Sequence, residues 1–517
     1  MYSTRYNGRK KNLGIVSNLD IDQHHVFQQP SQEQGSVTGN IGTEKNSRDI
    51  ISIKREMATT NVAAGDQALD SSNTNGTSNT NGIAYSYGNT NGNTTVTLPI
   101  VIGGGGCVGL FLALLLAQSD IRNKIIVIEP QQPDPTSTRA MAHQPPTYPI
   151  LSKVPGLLPE LVKEGSLSSG LCFRTSVENG SKLIAAKTFD NSGEGMKGKG
   201  QLLLPQGKFQ KVLMKRLRSL ANRAEVKLDC SVSSFKSGKN SVTVHITPTP
   251  TSTQLGDESI EAAYLIDASG SHSSVRKDLG IALEGETLDA QLVATDLYFD
   301  FHSHGFYDAN FIMDPRNYGL IGRIAHAEGG KPALWRVSYG APIGVSEEDI
   351  KREVDEKLKV MMPNGGRDEE GKVAYEVVRI APYKAQQRLA STLYKERVAL
   401  VGDAAHLTNP YAGLGLASGM ADASSLSEVL TNILSPSSAV RDPERLLESW
   451  SEARRKKFLE VVDKPSRMAY KRVKADVSTE EKVKELMEKD PLVGALKKGM
   501  PVMPPSLETK GEELEGW

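Results

Sequence analysis

Leu98–Gln118 reads LPIVIGGGGCVGLFLALLLAQ: a short apolar run, four consecutive glycines, then a longer apolar run. By length it could cross a bilayer, which takes about 20 apolar residues. Glycines in its first third argue against one continuous helix, because glycine loses the most backbone freedom there. Read as strand, turn and helix, the stretch predicts a strand over 99–102 and a helix over 107–118. Gly104, Gly106 and Gly109 then form G-x-G-x-x-G between them. Such glycines allow the tight turn, the approach of backbone to a pyrophosphate and the close packing of helix on strand, while the helix N-terminus faces the phosphate charge. The next apolar run, KIIVIE at 124–129, predicts a second buried strand. It closes on Glu129, 20 residues past Gly109, where a carboxylate reaches a ribose hydroxyl. The pattern predicts a Rossmann-like α/β domain for a dinucleotide and leaves flavin and nicotinamide open.

Outward from this core, residues 1–97 are rich in Asn, Ser, Thr, Gln and Gly, with NTNG at 73–76, 79–82 and 89–92. Too little apolar surface is available to offset the entropy of ordering, so this extension is expected to be disordered. Its basic start lacks the apolar run of a secretory signal, so a cytoplasmic protein is expected, with a mitochondrial presequence as the alternative. Lys plus Arg and Asp plus Glu each total 61, a balance that gives no general attraction to nucleic acid or anionic membrane. Cys107, Cys172 and Cys230 are far apart and form no CxxC pair; no disulfide scaffold and no metal site are expected.

Gln206–Arg223 predicts a helix with Phe209, Val212, Leu213, Leu217 and Leu220 on its core side. Between 286 and 395, alternating segments such as LVATDLYFDF and ALWRVSYG predict an inserted, mainly antiparallel sheet. Strand–loop–helix character returns at Arg397, and beyond about 440 the chain is helical and charged.

The segment RVALVGDAAHLTNPYAGLGLASGMADASSL, 397–426, resembles the GD motif of the class A (single-component) FAD-dependent aromatic hydroxylases, the group of p-hydroxybenzoate and phenol hydroxylases. The resemblance covers about 98–475. It implies that Asp403 hydrogen-bonds the ribityl chain of FAD and that the Pro410 backbone lies beside substrate and flavin. It also implies that Gly413, Leu414 and Gly415 begin a helix aimed at the flavin pyrimidine, where a helix N-terminus carries about half a positive charge. Arg139 and Gln206 stand in order where the family places FAD-contacting residues. Tyr264–Ile281 is similar to the DG motif, with Ser273, Val275 and Arg276 in place; Ser269 replaces the expected Asp, and Asp267 stands two positions earlier. Ala417 replaces an Asn that many relatives carry.

The resemblance implies an FAD-binding domain of p-hydroxybenzoate hydroxylase type over 98–285, with some substrate-domain elements near 150–200. A substrate-binding domain over 286–395, the rest of the FAD domain over 396–475 and a helical tail over 476–517 follow. The implied activity is NAD(P)H- and O2-dependent hydroxylation of a small phenol-like compound through a C4a-hydroperoxyflavin. Three alternatives stay open: epoxidation or Baeyer–Villiger insertion on a non-aromatic substrate, a halogenase, and a flavin binder without turnover. NADPH versus NADH is open, as is a homodimer. His143, His302, His304, His326 and His406 are candidates for proton transfer or substrate contact, and Tyr318, Trp335 and Tyr339 for an aromatic pocket.

Overall fold

The computed structural model describes residues 97–253, 256–500 and 505–517. The extension read as disordered lies almost wholly outside them. The apolar runs at 100–103 and 125–129 form the centre of a six-stranded sheet. Ile100–Gly103 pairs in parallel with Ile125–Glu129 on one side and with Tyr264–Asp267 on the other. Ala224–Leu228 and Val398–Leu400 extend it in parallel, and Tyr394–Lys395 closes one edge antiparallel. Ile100, Val101, Ile102, Ile125, Ile126, Leu265 and Ile266 are fully buried. Unbroken burial along each strand is the mark of a parallel sheet covered on both faces.

Helix Cys107–Gln118 follows the first strand as expected, and the Gln206 helix ends at Arg218, a turn earlier than its pattern predicts. The long helix Gly415–Leu434 lies against Cys107–Gln118. Their close approach depends on Gly419, where a Cβ would sit 2.7 Å from Val108 Cγ2 and 3.1 Å from Gly402 Cα.

The second layer is an eight-stranded sheet in the order His406–Leu407, Glu376–Ala390, Leu283–Tyr298, Leu334–Ala341, Gly319–Ala325, Ala309–Met313, Gly170–Thr175, Leu183–Thr188. All neighbours are antiparallel except Ala309–Met313 with Gly170–Thr175. Alternation divides its two faces. Val293, Leu297, Trp335, Val337 and Tyr339 point to one side, where helix Glu347–Met361 covers them with Ile350, Val354, Leu358 and Met361. That helix starts cleanly because the Ser346 hydroxyl caps the Asp349 N–H at 3.1 Å and three acids fill its first turn. The opposite face looks towards the six-stranded sheet and forms part of the site.

Towards the C-terminus, helices Glu480–Lys489 and Pro491–Lys497 follow, with Val493 and Leu496 packed on Phe173 and Ile184. No helix among the described residues is long and apolar enough to cross a membrane.

Candidate active site

One cavity of roughly 1220 Å³ opens between the two large sheets. Gly104, Gly106, Glu129, Arg139, Gln206, Asp403, Pro410, Gly413 and Gly415 all line it, although they come from distant parts of the chain. Drug-sized ligands occupy about 300–1,000 Å³, so this volume suits a dinucleotide together with a small ring.

The glycine turn is built for close approach. Gly104 has φ +115°, and a Cβ there would lie 2.4 Å from the Ala268 carbonyl oxygen, just past the neighbouring strand. Gly106 precedes the helix, and a Cβ built on it meets nothing within 4 Å, so its open side belongs to the cavity. Gly109 does not line the cavity: its Cβ would strike the Gly104 carbonyl oxygen at 2.0 Å, so the residue serves helix–strand packing. Between them the Gly105 N–H donates to Glu129 Oε2 at 2.6 Å, and Gln210 Nε2 donates to the Gly105 carbonyl at 2.8 Å. Gln210 was not singled out from sequence; its place one helical turn after Gln206 is the signal that could have found it. Burial raises the Glu129 carboxyl pKa, opposed by the Gly105 and Gln131 N–H groups. Each Glu129 oxygen still has a lone pair for a further donor.

Asp403 is exposed to the cavity yet walled in by protein. That burial raises its pKa, and His406 opposes the shift. It has no hydrogen-bond partner among the described residues, so its carboxylate offers only acceptors towards the cavity. A polyol chain supplies the donors that such a group lacks. Gln206 Oε1 accepts the Ala140 N–H at 3.2 Å, which orients the amide beside Arg139. Two helices, Cys107–Gln118 and Gly415–Leu434, begin at this cavity with no side-chain cap and no acid in the first turn. Their orphan N–H groups make the cavity hospitable to negative charge. Leu414 does not line the cavity; its side chain packs on the core at the start of the second helix.

Three networks missed by sequence reading hold these parts. Asp267 accepts the Ser269 N–H at 3.1 Å and hydroxyl at 2.6 Å, and also the Ser273 hydroxyl. The loop with Ser269 in place of Asp therefore closes around the carboxylate two positions earlier. Asp422, on the long helix, meets His406 Nε2 at 2.6 Å, Arg454 Nε at 2.9 Å and the Gly402 N–H at 3.1 Å. Burial would raise its pKa, but facing His406 and Arg454 it is held below the ordinary value. Gln387 Oε1 accepts the Thr408 hydroxyl at 2.9 Å and the Asn409 N–H at 2.6 Å, pinning the turn that carries Pro410.

The other candidates sort differently. His143, His302, His304, His326 and His406 do not line the cavity. His406 is tied to Asp422, His302 meets Asp308 at 3.1 Å, and His143 is buried against Phe209. Trp335 and Tyr339 point to the helix-covered face of their strand, because alternation sends Arg336 and Ser338 to the cavity. Tyr318 packs with Tyr411 and Tyr470 behind the cavity wall.

Residues 96–464 match the family model described as FAD binding domain. The chain is 33% identical over 361 residues to para-nitrophenol 4-monooxygenase of Pseudomonas sp. (strain WBC-3), covering 70% of this chain and 83% of the relative. It is 32% identical over 368 residues to 6-hydroxy-3-succinoylpyridine 3-monooxygenase HspB of Pseudomonas putida (strain DSM 28022 / S16), covering 70% and 86%. The crystal structure of p-nitrophenol 4-monooxygenase PnpA from Pseudomonas putida DLL-E4 superimposes with a TM-score of 0.67 at 28% identity, covering 78% of this chain and 96% of that one.

Proposed function

The chain belongs to the FAD-binding-domain family and is an FAD-dependent monooxygenase of the aromatic hydroxylase type; from that premise we propose that it uses NAD(P)H and O2 to hydroxylate a small, phenol-like ring. The observation that carries this reading is the convergence of Gly104, Gly106, Arg139, Gln206, Asp403 and Pro410 on one cavity. When bound, FAD supplies reduction by the nicotinamide and activation of oxygen, the part of the chemistry that belongs to a cofactor.

The chain's own residues do the rest. The Gly104–Gly106 turn and the first helix N-terminus receive the pyrophosphate, and Glu129 accepts from a ribose hydroxyl. Asp403 and Gln206 would hold the ribityl chain, and Arg139, next to the Ala140 that meets Gln206, would contact the cofactor from the same cavity. The N-terminus of Gly415–Leu434 favours negative charge on the pyrimidine side. Tyr383 lines the same cavity, and burial pushes its phenol up to about 12. The Pro410 turn, held by Gln387, places backbone beside the ring.

Purification tests the cofactor: the protein should be yellow or bind added FAD, and Asp403→Ala should weaken FAD binding at least tenfold. NAD(P)H oxidation stimulated by a panel of phenols, with stoichiometric hydroxylated product, tests the reaction. A colourless polypeptide that refuses FAD overturns the reading, and peroxide release without product from every phenol overturns the substrate class.

A further inference from the structure

The strand registers arrange the cavity face of the eight-stranded sheet in rows. One row runs Arg379, Asp296, Arg336, Gly322, Ala309. Two residues along each strand, the next runs Ala381, Ala294, Ser338, Leu320, Phe311, and every member lines the cavity. Beyond it come Tyr383, Leu292 and Gly340, with the Tyr318 hydroxyl set in the space that a side chain at Gly340 would fill. Successive rows on one face lie about 7 Å apart, roughly the width of one aromatic ring.

The charged row is largely spent on itself. Arg336 Nε donates to Asp296 at 2.7 Å, Nη1 to the Arg139 carbonyl at 3.0 Å, and Nη2 to the Thr138 carbonyl at 2.7 Å. Arg379 leans on the same carboxylate at 3.4 Å. Neither the middle row nor the tyrosine row holds a charge. The middle row is a floor of Ala, Leu and Phe side chains with one polar atom, the Ser338 hydroxyl. Ser338 is only 5% exposed, and its side chain has no hydrogen-bond partner among the described residues. A buried hydroxyl facing a cavity without a partner is completed by what the cavity receives.

We infer that Ser338 is a specificity-determining contact for the ring: its hydroxyl hydrogen-bonds an oxygen substituent that the apolar floor otherwise leaves unpaired. The inference rests on the aromatic-hydroxylase reading and narrows it to rings that carry an oxygen substituent over Ser338. A ring oxygen laid on this floor loses water, and the Ser338 hydroxyl replaces the lost hydrogen bond, whereas a ring without such an oxygen leaves that hydroxyl unpaired.

The test uses the FAD-loaded enzyme without NAD(P)H and reads dissociation constants by equilibrium dialysis for 4-nitrophenol, phenol, nitrobenzene and toluene. Ser338→Ala should weaken 4-nitrophenol, and at least one of phenol and nitrobenzene, by roughly three- to tenfold, the loss of one hydrogen bond, while leaving toluene unchanged. Equal loss for all rings including toluene would mark a packing role and overturn the inference. So would no loss for any ring. Flavin content and melting temperature of the variant should match wild type. A wild type that takes up no flavin defeats the underlying reading instead, so the two failures are distinguishable.

Discussion

Gly104→Ala and Gly106→Ala, two residues apart, should fail in different ways. At Gly104 the new Cβ would stand 2.4 Å from the Ala268 carbonyl oxygen, 2.5 Å from its carbon and 2.8 Å from the Ser269 nitrogen. All three atoms are backbone, so no rotamer change relieves the clash. The strands Ile100–Gly103 and Tyr264–Asp267 would have to part where the Ala268 N–H donates to the Gly103 carbonyl at 2.8 Å. Holding alanine at φ +115° costs about 1–3 kcal/mol, and overpacking adds about 1–3 kcal/mol. Gly104→Ala should therefore lose roughly 2–6 kcal/mol, a large share of the ~5–15 kcal/mol of a typical domain. At Gly106, φ is −67° and nothing lies within 4 Å of the new methyl, so folding stability should change by less than about 1 kcal/mol. That methyl projects into cavity space, so FAD affinity should fall tenfold or more. Urea unfolding without flavin and FAD titration by fluorescence quenching read the two effects separately. The reasoning is refuted if Gly104→Ala unfolds within 1 kcal/mol of wild type, or if Gly106→Ala binds FAD normally.

Two further predictions concern the scaffold. Burial lowers the His143 pKa from 6.5 to about 4, opposed by the hydrogen bond to the Leu204 carbonyl. Between those values the unfolded chain binds a proton that the folded chain refuses. The stabilising contribution is thus complete above about pH 6.5 and falls by roughly 3 kcal/mol as pH drops towards 4. Unfolding of His143→Gln at pH 7.5 and pH 5 should show a shallower pH dependence than wild type, and an unchanged slope contradicts the assignment. Arg454 is buried, donating to Asp422 and also to the Leu507 carbonyl at 2.8 Å and the Thr509 hydroxyl at 3.0 Å. Arg454→Met should cost about 3–5 kcal/mol by leaving the Asp422 charge short of a partner. It should also speed limited proteolysis after residue 505; unchanged melting and digestion would rule out the network as a clamp on the C-terminal segment.

Local chemistry made much of this protein legible before any fold was known. The turn at 103–106, the helix at 107–118 and the strand ending at Glu129 depend on glycine freedom and apolar runs, which a linear chain displays openly. Helix Gln206–Arg218 carried its period in plain view, and only its end, where Ser219 leaves the helix, was misplaced by a turn. Trp335 and Tyr339 looked like pocket residues because an aromatic side chain in a strand carries no label for its face. The covering helix Glu347–Met361 supplies that label.

Sequence by itself determined the nucleotide-binding turn, the α/β class and, through the segment 397–426, the flavoprotein resemblance, since each is set by residues near one another in the chain. Tertiary structure alone decided that Asp267 ties the loop through Ser269 and Ser273, that Asp422, His406 and Arg454 share one buried network, and that Ser338 is the polar atom on an apolar floor. Those facts depend on which strand lies beside which and in what register. A one-residue slip would turn Ser338 away from the cavity and bring its neighbours inward. Register is the sum of contacts over the whole sheet, and no short stretch of the chain contains it.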